Sequence, residues 1–171
     1  MKKILVTGGC GYIGSHTIVD LLQNGFEVIS ADNNSRSKAS ILESVELITG
    51  TKVKNYTVDL CILDDTHAIF QENPDIAGII HFAAYKMVGE SVVNPLLYFE
   101  NNLNSLINIL KCAAEFNIPH FVFSSSCTVY GNPAEIPVTE NTALKPAASA
   151  YGYTKQMGEQ IVQETANAYD I

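Results

Sequence analysis

Ile4-Leu5-Val6-Thr7-Gly8-Gly9-Cys10-Gly11-Tyr12-Ile13-Gly14 is the stretch that decides the fold. Three apolar residues read as a short buried strand, the glycines as a turn, and the chain from position 13 onward as an amphipathic helix. Gly8, Gly11 and Gly14 give the spacing G-x-x-G-x-x-G. The first glycine permits a tight turn, the second lets the backbone approach a pyrophosphate, and the third lets helix and strand pack closely. A pyrophosphate then meets the free N–H groups at the start of the helix. Glycines in a turn are often only turn glycines, so the context carries the weight. A strand precedes them, a helix follows, and Asp32 closes the next apolar run about 20 residues on. A carboxylate there suits the two ribose hydroxyls of an adenosine and repels a 2′-phosphate, which favours NAD over NADP. Arg36 is the one neighbour that argues the other way.

Working outward, short apolar runs alternate with longer amphipathic ones, the pattern of βαβ units. Strands are predicted at 4–6, 28–31, 53–58, 78–81 and 120–124, and helices at 13–23, 37–48, 63–72 and 96–116. A last helix starts near Ser149, a suitable N-cap, and runs toward Ala168. Gly152 and Gly158 weaken that helix by about 1 kcal/mol each relative to alanine, so tertiary packing must compensate. The expected fold is α/β, a Rossmann-like doubly wound parallel sheet, with residues 1–171 forming one domain. Polar loops follow the strands' C-terminal ends, where ligands of such sheets bind.

Composition narrows the function. With 47% hydrophobic and 16% charged residues, the 171-residue chain is an ordinary globular mixture. A net charge of −8, from 10 Lys+Arg against 18 Asp+Glu, argues against nucleic-acid partners and against an anionic membrane surface. Met1-Lys2-Lys3 is followed by too short an apolar run for an export signal, and no stretch is long enough to span a bilayer. Cys10, Cys61, Cys112 and Cys127 show no C-x-x-C spacing, so free thiols in a reducing cytoplasm are preferred to structural zinc, and no metal site is expected.

Two further constellations carry chemistry. Asp59-Leu60 ends the third predicted strand, where an adenine would lie; the same acid reads equally well as part of a helix N-terminus. Tyr151 and Lys155 are four apart and share a helical face, downstream of Ser124-Ser125-Ser126. A free tyrosine titrates near ~10, so service as a base near neutral pH requires about 4 kcal/mol of stabilisation. One cation at ~4 Å supplies about that much at an effective dielectric of 20. Lys155 and an oxidised nicotinamide are two such cations, and Ser126 can hold the substrate hydroxyl and share its proton. Alone, Y-x-x-x-K is usually a surface pair; after a dinucleotide turn and a serine at a strand end, catalysis is the better reading.

Together these elements resemble the extended short-chain dehydrogenase/reductase family. The likeness is closest to its nucleotide-sugar 4-epimerases, through residues 7–16, Asp32-Asn33, 81–91, Pro95, Tyr98, Asn101-Asn102 and 124–131. The resemblance implies that Tyr12 and Ile13 lie over the pyrophosphate of NAD, and that Asp32, Asn33, Asn34, Ser35, Arg36 and Ser37 surround the adenine ribose. It implies that Asp59 and Leu60 contact adenine, and that Phe82, Ala83, Ala84, Tyr85 and Lys86 meet the nicotinamide half, with Asn101 in support. Ser126 and Tyr151 would face the C4 hydroxyl of a UDP-sugar substrate, and Lys155 the nicotinamide ribose.

The implied reaction interconverts UDP-galactose and UDP-glucose. Tyr151 takes the O4 proton as hydride passes to tightly bound NAD, the 4-keto sugar turns over, and hydride returns to its other face. Related dehydratases carry an acid just after the first serine or threonine of this stretch; Ser125-Ser126-Cys127-Thr128-Val129 has none, which disfavours dehydration. The family continues beyond this length, so the chain is expected to be a fragment lacking the last strand or strands and a C-terminal substrate domain. The complete enzyme is expected to be a homodimer and the fragment to self-associate through an unpaired sheet edge. A non-catalytic NAD-binding module and an NAD-dependent epimerase or reductase of another nucleotide sugar remain as alternatives.

Overall fold

A computed structural model describes residues 1–169 and 171. Its elements alternate: β1 Lys3–Thr7, α1 Tyr12–Gln23, β2 Glu27–Ala31, α2 Ile41–Thr49, β3 Lys54–Tyr56, α3 Leu63–Glu72, β4 Ile76–His81, α4 Val88–Val93, α5 Pro95–Glu115, β5 Phe121–Phe123 and α6 Ala150–Ala168. A short 3-10 turn, Cys127–Tyr130, precedes the long loop to α6. The five strands are all parallel in the order β3-β2-β1-β4-β5. The fold is therefore α/β and Rossmann-like, as the alternation of short and long apolar runs predicts.

Strand side chains alternate between the two faces. Leu5, Ile29 and Ile79 join Ile69 and Phe70 of α3 and Ile109 and Ala113 of α5 in one buried cluster. Val6 and Val28 join Ile18 of α1 and Leu42 and Val45 of α2 in the other. Helices thus cover both faces, and α6 packs on α5.

The departures from the sequence reading are local. β3 is three residues long against the six expected, with Val53 buried just outside it. Residues 88–93 form a helix that the reading passed over. Pro95 opens α5 as its first residue, and the preceding Asn94, with φ −124 and ψ 62, cannot continue α4 into it.

α6 shows how its two glycines are compensated. Ser149 caps it, its hydroxyl accepting from Gly152 N at 3.2 Å. A Cβ on Gly158 would lie 2.5 Å from Phe123 Cζ, and one on Gly152 would lie 2.9 Å from Ala147 Cβ. A side chain at Gly158 would push α6 off the end of β5, and one at Gly152 would push it off Ala147 and the 3-10 turn at Thr128. The helix propensity lost is exchanged for close approach, and Lys155, three residues before Gly158 on the same face, is brought down against the strand end.

Candidate active site

The register positions the site. Thr7 pairs with Ala31 and His81, Ala31 with Tyr56, and His81 with Phe123, so the last residues of all five strands form one row. Gly8, Asp32, Thr57, Phe82 and Ser124 consequently leave the sheet along a single edge. A cleft of about 520 Å³ runs along it, well within the range of small-molecule sites. It is centred where the strand order reverses, between β1 and β4.

Of the residues singled out from the sequence, all but two line this cleft. Gly8, Gly11, Tyr12, Ile13 and Gly14 form its central rim, and Asp32, Asn33, Ser35, Arg36 and Ser37 the β2 side. Asp59 and Leu60 follow β3, while Phe82, Ala83, Ala84, Tyr85 and Lys86 follow β4. Asn101 reaches in from α5, and Tyr151 and Lys155 from α6. The exceptions are Asn34 and Ser126. Asn34 has φ 56, and its N–H donates to Asp32 Oδ1 at 2.9 Å. Ser126 caps the 3-10 turn, its Oγ accepting from Thr128 N at 3.3 Å and Thr128 Oγ1 at 3.0 Å.

The glycine turn is shaped by what cannot fit. Gly8 has φ +68, and a Cβ there would stand 2.8 Å from Ala83 N. A Cβ on Gly14 would stand 2.8 Å from Gly9 Cα. A Cβ on Gly11 would stand 3.1 Å from Gly8 O, a tight contact with backbone. No side chain caps the start of α1 and no acid occupies its first turn. That leaves N–H groups and the positive end of the helix for an anion. An NAD pyrophosphate fits this cradle. Asp32 is fixed beside it: Oδ2 accepts from Cys10 N at 3.0 Å, and Oδ1 accepts from Asn34 N and, at 2.8 Å, from Ser37 Oγ.

Arg36 does not face open solvent alone. Its Nη2 donates to Glu90 Oε1 at 2.8 Å, and its Cζ lies 4.8 Å from the centre of the Tyr85 ring. Glu90 Oε2 accepts from the hydroxyl of fully buried Tyr98 at 2.6 Å. The Tyr98 bond first and Arg36 second hold the Glu90 carboxyl below the ordinary carboxylate range. Burial, reinforced by Glu90, pushes the Tyr98 phenol up to about 12.

On the β4–β5 side, Lys155 is almost fully buried, and its Nζ donates to Ser124 O at 2.7 Å. Burial lowers its pKa to about 8. The ammonium stands 4.7 Å from the centre of the Phe123 ring and 5.9 Å from that of the Tyr151 ring. Beneath it, burial depresses His81 to about 3, so the imidazole is neutral. Thr7 Oγ1 accepts from Ala83 N at 3.3 Å and shares a hydrogen bond of 2.8 Å with His81 Nδ1.

Sequence reasoning missed several contributors. Ser124, Met87, Glu90, Tyr98 and Ser105 also line the cleft. Asn102 accepts from Tyr85 N at 2.8 Å, donates to Tyr85 O at 3.0 Å and donates to Thr154 Oγ1 at 3.1 Å. It thereby ties the segment after β4 to α6, one turn from Tyr151. Asn102 is one of three buried polar residues of α5, with Ser105 and Asn108, so polar positions within its buried helical face were the available signal. Among the described residues, no cluster of His, Cys, Asp or Glu has the makings of a metal site, and no helix is long and apolar enough to cross a membrane.

Comparison with known proteins agrees with this geometry. Residues 4–171 match the profile of the NAD dependent epimerase/dehydratase family. UDP-glucose 4-epimerase of Bacillus subtilis (strain 168) is 46% identical over 165 residues, covering 96% of this chain and 48% of its own length. The crystal structure of UDP-glucose 4-epimerase from Bifidobacterium longum in complex with NAD+ and UDP superposes with a TM-score of 0.95 at 44% identity, covering 98% of this chain and 50% of that one. The Stenotrophomonas maltophila UDP-glucose-4-epimerase with bound NAD and formylated UDP-arabinopyranose gives 0.92 at 40% identity, covering 98% of this chain and 49% of that one. The chain spans about half the length of the curated relatives it matches.

Proposed function

The chain belongs to the NAD dependent epimerase/dehydratase family, and we propose that its cleft binds NAD and serves the 4-epimerisation of a UDP-sugar, interconverting UDP-galactose and UDP-glucose. The observation that carries this reading is that one cleft holds the glycine turn and Asp32 at one end and Tyr151 and Lys155 at the other. In this reading residues 1–171 are the dinucleotide-binding domain. Gly8, Gly11, Tyr12, Ile13 and Gly14 hold the pyrophosphate. Asp32 takes the adenosine ribose hydroxyls within the loop that runs to Ser37. Asp59 and Leu60 meet adenine, and the segment from Phe82 to Lys86, with Asn101, meets the nicotinamide half.

Bound NAD supplies the acceptor that takes the hydrogen from C4 and gives it back to the other face. The chain's own part is the proton. Tyr151, in the cleft wall, removes it from the C4 hydroxyl and later returns it. Lys155, held by Ser124 O, places positive charge beside the deprotonated phenol. Ser126 Oγ is bonded to Thr128 N and Thr128 Oγ1, and in this reading its hydroxyl turns to the substrate oxygen as a donor.

The same reading includes a homodimer, checked by sedimentation, and a cytoplasmic location, in keeping with four free cysteines and checked by fractionation. The function itself is tested by incubating the purified protein with UDP-galactose and following UDP-glucose, together with analysis of the nucleotide released on denaturation. Turnover that requires Tyr151 and NAD supports the proposal. Turnover that survives Tyr151→Phe overturns the assignment of the base.

A further inference from the structure

Arg36 is four residues past Asp32, in the loop proposed for the adenosine ribose. A guanidinium near that acid is the group by which such clefts accept a 2′-phosphate. Here it is already committed. Nη2 donates to Glu90 Oε1 at 2.8 Å, and the guanidinium lies over the Tyr85 ring, 4.8 Å from its centre. Glu90 cannot easily follow Arg36 elsewhere, because its other oxygen accepts from Tyr98 at 2.6 Å. The Tyr98 hydroxyl in turn accepts from Met87 N at 3.1 Å, and its side chain is fully buried. A fixed carboxylate on α4, across the cleft mouth from β2, therefore decides where Arg36 points.

We propose that Glu90 is a positioning residue for dinucleotide choice, drawing Arg36 away from the adenosine 2′ position and onto Tyr85. The inference rests on the reading of the cleft as a dinucleotide site and adds a second discriminating element to Asp32. Asp32 opposes a 2′-phosphate by its charge, and its carboxylate is locked by three donors. Glu90 opposes it differently, by occupying the guanidinium that would neutralise it. A turn of Arg36 toward a 2′-phosphate weakens its bond to Glu90 and its contact with the Tyr85 ring, and Glu90 keeps Tyr98 as its other partner. NAD asks for no such rearrangement, so the cost falls on NADP alone.

The test is calorimetric titration of the nucleotide-stripped protein with NAD and with NADP, at one fixed ionic strength, for the wild type, Glu90→Gln, Arg36→Ala and the double variant. The wild type is expected to prefer NAD. Glu90→Gln should narrow that preference about tenfold, mainly through tighter NADP binding, the size expected of one freed charge-assisted contact. Arg36→Ala placed on Glu90→Gln should abolish the gain, an outcome that a merely structural role for Glu90 would not produce. Glu90→Asp, which withdraws the charge by one methylene, is the second variant should Glu90→Gln fold poorly, with a smaller shift in the same direction. Equal weakening of both dinucleotides by the Glu90 variants, an unchanged preference, or an NADP gain that survives loss of Arg36 overturns the inference while leaving the NAD reading intact. A wild type that binds neither dinucleotide overturns the cofactor reading and this inference with it.

Discussion

At the glycine turn the cleft is built from backbone: N–H groups at the start of α1, a left-handed Gly8, and a carboxylate tied down by Cys10 N, Asn34 N and Ser37 Oγ. At the other end it is built from side chains on α6. There the key cation is buried against one carbonyl, and Ser126 spends its hydroxyl lone pairs on Thr128. The first half is shaped before any ligand arrives. The second holds a charged group in a place that disfavours charge. Binding and chemistry should therefore fail separately when each half is altered.

The largest separation is expected from Tyr151→Phe. Removing a general acid–base group costs about 10²- to 10⁴-fold in rate, while the glycine turn and Asp32 are untouched. Epimerisation should fall by that factor in kcat, with NAD affinity changed by less than about threefold. A parallel loss of NAD binding would mean that the two halves are not independent.

Lys155→Met sharpens the same contrast through stability. With its folded pKa near 8 against the ordinary lysine value of 10.5, the buried ammonium is protonated in both states below about pH 8, and its burial penalty is fully present there. Between pH 8 and 10.5 the folded protein gives up the proton first, so the unfolded chain binds more protons and stability rises with pH. The gap in pKa corresponds to about 3 kcal/mol, from which loss of the bond to Ser124 O takes back about 1 kcal/mol. The variant should be inactive yet more stable than wild type by about 2 kcal/mol at pH 7, the difference closing toward pH 10. Urea melts of both proteins at pH 7 and 9.5 read it directly, and a gap that ignores pH would refute the burial argument.

On the turn side, Gly14→Ala puts a Cβ 2.8 Å from Gly9 Cα, against backbone that has no rotamer to yield. Overpacking of this kind costs about 1–3 kcal/mol. It should also displace the N–H groups at the start of α1, so NAD affinity should drop along with the melting temperature. Loss of stability with full NAD affinity would show that the cradle tolerates a shifted helix.

These two halves were not equally legible in the sequence. A glycine turn works through spacing along the chain, so residues 8–14 and Asp32 announce it within one βαβ unit. Tyr151 and Lys155 are likewise local, one helical turn apart. What joins them is not local. Glu90 meets Arg36, and Asn102 meets both Tyr85 and Thr154, through contacts that exist only once α4, α5 and α6 are packed. The six-residue α4 has no long period to detect, and Ser126 points as it does because the 3-10 turn after β5 uses it as a cap. The role of Gly158 was half visible: its cost to the helix could be read, its contact with Phe123 could not.

That contact gives the smallest expected effect. In an isolated helix Gly158→Ala should stabilise by about 1 kcal/mol. Here the new Cβ would lie 2.5 Å from Phe123 Cζ. Movement of the ring is opposed by its contacts with His81, 6.3 Å between centres, and with the Lys155 ammonium at 4.7 Å. Relief must come from lifting α6, which lengthens the Lys155–Ser124 bond and moves Tyr151 with it. The propensity gain and the packing loss then nearly cancel, so the melting temperature should change little or fall by an amount equivalent to about 1 kcal/mol. The epimerisation rate should drop further than that stability change alone explains. A clear rise in melting temperature with an unchanged rate would show that α6 does not need its close approach to the end of β5, and would remove the structural reason for a glycine at this position.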